Sequence, residues 1–367
     1  MAWSVSWGVA IDGADVTVNM RPFLISIEVV DKDGTASDAC RLVFDDTGGQ
    51  CLLPKKGAGV VVTLQGVPIF EGTVDSTPWR LSRGGGRVLE IAAKGLDTRG
   101  KAKAGQLWHL DDASLQEALD KAAKRAGLSA VIVDQQLAAI QRPYWSPEGA
   151  SFLAWGERLA REFGATFKIR GARAVFVKRG SGVSAAGGAM PVVLGYCGPG
   201  GNVIAVPEID PSRGRARFKE KRVRYFDRET ATFKEKRLAI EDSEGDLDVV
   251  DTQRWPAADE SQAETMAEGQ KADAEREAGL GQAVLDLDVA AQAEGTFILS
   301  GARPGIDGSY RITGVTQRAD RSGGAQTTLD LAQPQGDAGK DDSKPSGQAA
   351  GRSPALGSVP VPTPAPR

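Results

Sequence analysis

One histidine in 367 residues removes any multi-histidine metal site and makes a Ser-His-Asp triad depend on His109 alone. No serine stands in a G-x-S-x-G turn, the usual mark of an α/β-hydrolase nucleophile. Cys40, Cys51 and Cys197 are an odd set without C-x-x-C spacing, so buried reduced thiols are expected rather than a disulfide framework or a zinc site. No apolar run reaches the ~18 residues that a membrane helix needs. The opening "MAWSVSWGVAIDG" lacks the basic head and cleavage site of a secretory signal. A net charge of −3 gives no global pull toward nucleic acid or a membrane surface. Aromatics are only 6% of the chain, so its cores are modest.

Glycine is plentiful, at 45 residues, and it punctuates short alternating runs. "FLISIEVVDKDG", "ACRLVFDDTGG", "GVVVTLQGVPIFEGTVDS" and "RGGGRVLEIAAKGL" predict strands joined by tight turns, one of them at Gly66. Their spacing predicts a small barrel or sandwich over residues 1–105. Residues 106–180 read as an α/β insert. "DDASLQEALDKAAKRAG" (111–127) is a helix with Ser114 and Glu117 as a capping box and Leu115, Ala118, Leu119, Ala122 and Ala126 on one face. "AVIVD" is a strand. "GASFLAWGERLAREFG" is a second helix capped by Ser151, with Phe152, Trp155, Leu159 and Phe163 inward, and "ATFKIRGARAVFVKRG" is a hairpin turning at Gly171–Ala172. Residues 181–202 read as a linker and 203–257 as a β insert. Residues 258–332 hold a helix (258–279) and the closing strands of a second barrel, with earlier strands available to complete it. Residues 333–367 form a Pro/Gly/Ser-rich disordered tail. The closing "GIDGSYRITGVTQRADRSGGAQTTLDL" echoes "GVPIFEGTVDSTPWRLSRGGGRVLEIAAKG": a strand, an arginine, a Gly-Gly corner, then an alternating strand.

Chemistry-bearing motifs fail on their parts. "GLDTRGKA" (Gly95–Ala102) is one residue from a phosphate loop, but Ala102 replaces the magnesium-binding hydroxyl and no helix opens behind it. "GSGVSA" (Gly180–Ala185) imitates a dinucleotide turn without the helix that would receive a pyrophosphate. "DKDG" (Asp31–Gly34) lacks the other calcium-loop ligands and reads as a hairpin turn. His109 reads as a partly buried turn residue, and carboxylates such as those in "DLDVVD" carry no spacing that marks a glycosidase. Arg213–Arg237 holds eleven Lys or Arg against four carboxylates, but few stacking aromatics, so it reads as a solvated face or an interface with an acidic protein. No catalytic, metal-binding or cofactor-binding residue is assigned, and no cofactor is expected.

"SFLAWGERLAREFGATFKIRGARAVFVKRG" and "PGIDGSYRITGVTQRADRSGGAQTTLDL" resemble the late control D family of phage tail proteins, with "AKGLDTRGKAKAG" and "SLQEALDKAAKRAGL" like its join between first barrel and insert. The resemblance covers residues of about 20–332 and is weakest at 190–280. It implies a mainly β, α+β fold with two tube-like β-barrel domains per chain, so that three copies present six similar barrels. It also implies a non-enzymatic baseplate hub of a contractile phage tail or tailocin, a homotrimer that joins a sixfold tail tube to a threefold spike. The implied partners are the central spike, the tail tube or its initiator, the tape measure protein and the baseplate wedge proteins, with no membrane and no sequence-specific nucleic acid. The implied location is the virion baseplate, assembled in the bacterial cytoplasm. A type VI secretion-like hub and a cell-wall (peptidoglycan) hydrolase of the tail are the alternative readings.

Overall fold

The computed structural model describes residues 4–34, 37–95, 100–180, 189–211, 220–227, 229–239, 250–252, 256–257, 259–276 and 278–340. The middle of the phosphate-loop near-miss, most of the "GSGVSA" stretch, Arg213–Lys219 of the basic segment, most of "DLDVVD" and the tail from 341 onward lie outside these residues.

The fold is mostly β. The chain opens with β1 (Trp7–Ile11), the two-residue β2 (Ala14–Asp15) and the single turn α1 (Thr17–Met20). β3 (Leu24–Lys32), β4 (Ala39–Asp45), β5 (Gly59–Leu64), β6 (Val67–Ser76), β7 (Trp79–Ser82) and β8 (Gly86–Lys94) follow. In β5 the alternate residues Val60, Val62 and Leu64 are buried, as a half-buried strand of β-branched residues requires. Gln65 and Gly66, both at positive φ, make the two-residue turn into β6 that suits the twist of a hairpin. Leu24, Ile27, Leu42, Leu64, Phe70 and Ile91 anchor the first core.

The insert begins with β9 (Leu110–Ser114), α2 (Leu115–Arg125), β10 (Ala130–Val133) and α3 (Gln135–Ala138). It continues through β11 (Gln141–Trp145), α4 (Phe152–Glu162), β12 (Ala165–Arg170) and β13 (Arg173–Lys178). The Ser114–Glu117 capping box forms, and α2 starts there rather than at 111 because Leu110–Ser114 pairs with β11 instead. Ser151 caps α4 by accepting from the Ala154 N–H. Phe152, Trp155, Leu159 and Phe163 are buried with Leu115, Ala118, Leu119 and Ala122 in a second core. Full burial of side chains as large as Phe152 and Trp155 contributes on the order of 1.5–3 kcal/mol each.

β14 (Val192–Tyr196) lies inside the stretch read as a linker, and β15 (Val203–Asp210) follows it. A separate small sheet holds β16 (Glu220–Asp227), β17 (Thr232–Ala239) and β18 (Val250–Thr252), packed on α5 (Glu260–Arg276) through Val223, Tyr225, Ala263 and Ala267. β19 (Leu280–Asp286), β20 (Thr296–Ser300), β21 (Gly308–Asp320) and β22 (Gly324–Gln335) complete the described strands. β22 thus runs into the segment read as tail. The third main core holds Leu285, Phe297, Tyr310, Ile312 and Leu331.

The first unit pairs in the order β3, β4, β8, β6, β5, β1, and the second in the order β15, β19, β22, β21, β20, β14. These are the same pairings in the same chain order. Registers repeat as well. Val29 faces Cys40, which faces Ala93; Ile209 faces Gly281, which faces Leu331. The β6·β8 ladder slips after Val74↔Ala93, and β21·β22 slips after Ile312↔Leu331. From that slip to the hairpin turn the two segments match without a gap, so that Ser82↔Gly86 corresponds to Asp320↔Gly324. Gly86 and Gly324 both take positive φ (72° and 84°), the conformation that glycine adopts without a Cβ penalty. The sequence echo is therefore a structural repeat. One departure stands out: β1 is antiparallel to β5, whereas β14 is parallel to β20. β3 pairs with β21 and joins the two units into one fourteen-stranded sheet, and among the described residues neither unit's pairings close into a ring.

Candidate functional site

Two ionic clusters lie where the units and the insert meet. In the first, Lys168 on β12 extends to Asp31 at the end of β3 and, at 2.7 Å, to Asp38 just before β4. Arg170 adds hydrogen bonds of 3.0 and 3.1 Å to the other oxygen of Asp38. The Ala293 N–H donates to Asp31 at 3.2 Å. The Lys168 and Asp38 side chains are only 9% and 2% exposed. Burial opposes charge on Asp31, but Lys168, the Ala293 N–H and Arg170 hold its carboxyl below the usual range. Burial likewise opposes charge on Lys168, and the two carboxylates hold its ammonium above the usual lysine value. In the second cluster Arg311 of β21 pairs with Asp33 and lies 3.7 Å from Glu294, which also pairs with Arg276 at the end of α5. Each cluster carries two acids and two bases, so each is neutral overall.

The sequence reading of "DKDG" as a bare hairpin turn missed this. Asp31 and Asp33 are anchors for the insert and for β21, and their partners lie more than a hundred residues away. No local signal marked it, because Lys168 stands at a regular polar position of the alternating run "ATFKIR".

The remaining singled-out residues stay apart. His109 is exposed rather than partly buried: its ring stacks on Tyr144 at 6.0 Å, and its carbonyl accepts from Lys121. Ala102 is buried against the insert core. All three cysteines are free thiols, but only Cys40 is fully buried; Cys51 and Cys197 are partly exposed, which corrects the expectation of three buried thiols. Burial and the neighbouring Asp46 push the Cys51 thiol up to about 11, away from the reactive thiolate. Among the described residues no group of three or more His, Cys, Asp or Glu is placed to hold a metal ion, and no helix is long and apolar enough to cross a membrane.

Four cations in the described part of the basic segment have carboxylate partners. Arg222 and Arg237 both reach Glu235, Lys234 reaches Asp227, and Lys236 lies 3.0 Å from Glu264. The Lys234 hydrogen bond holds Asp227 down at about 2. Phe226 and Phe233 meet edge to face at 5.3 Å on the same hairpin. A phosphate backbone needs uncompensated cations, and these four are engaged with intramolecular carboxylates.

Part of the exposed apolar surface lies on sheet margins. β14 turns Val192, Leu194 and Tyr196 outward, with Leu194 64% exposed. Its free backbone edge is capped by Asn202, whose amide donates to Leu194 O at 2.8 Å and accepts from Tyr196 N–H at 3.0 Å. β7 exposes Trp79 and Leu81, at 49% and 63%. Each of β7 and β15 has a single strand neighbour among the described residues.

No protein-family model matches the chain. Over 188 residues it is 31% identical to the probable baseplate hub protein of Escherichia phage 186, a match covering 49% of this chain and 47% of that protein. The chain thus spans about half the length of the curated relative it matches. A tail protein from Neisseria meningitidis MC58 shares the fold with a TM-score of 0.68 at 15% identity, over 90% of this chain and 96% of that one. A type VI secretion system component of E. coli, itself described as similar to bacteriophage T4 tail proteins, shares it with a TM-score of 0.54 at 13% identity, over 91% and 79%. The resemblance carried by the helix–hairpin and closing-hairpin motifs is thus matched by sequence similarity to a phage baseplate hub protein and by the fold of a tail protein.

Proposed function

We propose that the chain is the baseplate hub of a contractile phage tail or tailocin. Three copies form a ring in which the two six-strand units of each chain act as tube-like barrels, giving six similar positions around one axis. Such a ring carries a sixfold tail tube on one side and a threefold spike on the other. The observation that carries this reading is the internal repeat, because a chain with two equivalent units converts threefold into pseudo-sixfold symmetry with no further device. The margins support it. Exposed Trp79, Leu81, Leu194 and Tyr196 are apolar surface of the kind that assembly covers. In this role the protein is structural rather than enzymatic, and its ionic clusters fix the units and insert in one arrangement. The spike, the tube or its initiator, the tape measure protein and the baseplate wedges are the partners, met in the virion baseplate.

Sedimentation of the full chain, alone and mixed with its spike, tests the reading. A species of three times the 38.6 kDa chain mass is expected. Release of soluble muropeptides from peptidoglycan by the purified chain would instead favour a tail hydrolase. A second reading, a type VI-like hub, draws on the fold shared with the E. coli component. Purification of the chain with a membrane complex rather than with tail proteins would favour it.

A further inference from the structure

The joint between the two units within one chain is a template for the joint between chains. Within the chain, the distal half of β21 pairs with β3: Gln317 faces Val29, Arg318 faces Glu28 and Ala319 faces Ile27. The gap-free match of the two hairpins makes Trp79, Arg80 and Leu81 of β7 the equivalents of Gln317, Arg318 and Ala319. The repeated registers make Ile209 and Glu208 of β15 the equivalents of Val29 and Glu28. The intrachain joint is thus occupied, while its two counterpart strands, β7 and β15, each pair on one side only among the described residues.

We infer that β7 of one copy pairs antiparallel with β15 of a second copy, with Trp79 opposite Ile209 and Arg80 opposite Glu208. This inference rests on the ring of copies proposed above and assigns its contact.

Three features agree with it. First, the backbone faces the right way. Glu90 N–H donates to Pro78 O, so antiparallel alternation turns Arg80 and Ser82 toward β8 and leaves the N–H and C=O of Trp79 and Leu81 at the open edge. In the template, Asp33 N–H donates to Thr313 O, and the same alternation turns Gln317 and Ala319 toward β3. Second, the residue types correspond in both joints: Arg318 faces Glu28, and Arg80, which also pairs with Glu90 at 2.6 Å in its own chain, has Glu208 as its counterpart. Third, Pro207 within β15 and Pro211 just after it stand two residues on either side of Ile209. Proline is tolerated on an edge strand where its missing N–H faces outward, which places Ile209 outward too. The prolines block any long ladder on this edge and leave one complete pairing position, so the edge accepts a short strand such as the four-residue β7 in one register.

The test uses full-length chains carrying Cys51→Ser and Cys197→Ser, with the buried Cys40 retained. One chain then receives Arg80→Cys and the other Glu208→Cys. This pair would sit at a non-hydrogen-bonded position with Cα atoms about 4.5 Å apart, within disulfide range. Sedimentation first fixes a concentration, or a mixture with spike and tube proteins, at which copies associate; the chains are then mixed, oxidised and run on a non-reducing gel. The inference expects a disulfide-linked dimer from the mixture, none from either chain alone, and at least tenfold less from Arg80→Cys mixed with Asp210→Cys. The doubly substituted chain should give a ladder that ends at three. Leu81→Pro removes an outward N–H without touching the β8 ladder, and should weaken association at least tenfold at an unchanged melting temperature. Association without the Arg80–Glu208 cross-link overturns the β7–β15 contact and leaves the ring reading standing. Monomer mass under every condition overturns both.

Discussion

Lys168 shows how a single side chain ties distant parts of the chain together. It is 9% exposed and, with Arg170, neutralises Asp31 and Asp38, which hold the β3–β4 corner against the insert. Removing one partner of a buried ion pair leaves the other charge uncompensated, which costs roughly 3–5 kcal/mol. Lys168→Met should therefore lower the free energy of unfolding in urea by about that amount; a change under about 1 kcal/mol would show that the cluster contributes little. The pH dependence follows from the directions of the shifts. Asp31 is lowered from 3.8, so its contribution is complete above that value and is lost as pH falls through its lower folded value. Lys168 is raised from 10.5, so its contribution is complete below that value and is lost as pH rises through its higher folded value. The contribution of this pair to a melting-temperature profile should accordingly be flat between these limits and fall at both ends. Lys168→Met should flatten both falls.

At the scale of elements, Gly156 in α4 is the sharper test of packing. A Cβ there would meet the Phe167 ring at 2.5–2.9 Å. Replacing a helical glycine by alanine ordinarily gains about 1 kcal/mol, but overpacking costs typically 1–3 kcal/mol. Overpacking should win, so Gly156→Ala should be less stable than wild type by chemical denaturation, against the usual trend. Ser114→Ala removes the capping box of α2 and should cost about 1 kcal/mol. Elements of this kind were legible in the sequence because their causes are local: a cap, a 3.6-residue apolar stripe, a glycine turn. β14 was not, because its short apolar run follows a glycine-rich stretch and its partner β20 lies about a hundred residues on. The β9–β11 ladder was hidden because its first strand runs directly into the helix it precedes.

At the scale of the whole molecule, one fourteen-stranded sheet joins the two units, and in it one unit's hairpin is extended by the other unit's β3. That pairing joins residues near 30 and 315, and no local pattern announces it. The repeat itself was half visible: the hairpin echo could be read, whereas the equivalence of β3, β4 and β5 with β15, β19 and β20 rests on registers that only the folded chain displays. The ionic clusters were invisible for the same reason, since Asp31 and Asp33 look like turn residues until their partners arrive from the insert and from β21. The two units share the pairing plan but not the side chains, as Gln317 against Trp79 shows. A ring built from them is therefore sixfold in strand layout and threefold in surface. Tube and spike would each find the symmetry they need on the same particle.

Electron cryomicroscopy of the chain assembled with its spike measures this directly. Three copies should form a closed ring whose six strand units recur at about 60° intervals, with the first and second units alternating. A ring of six copies, or three copies whose two units lie at unrelated angles about the axis, would contradict it.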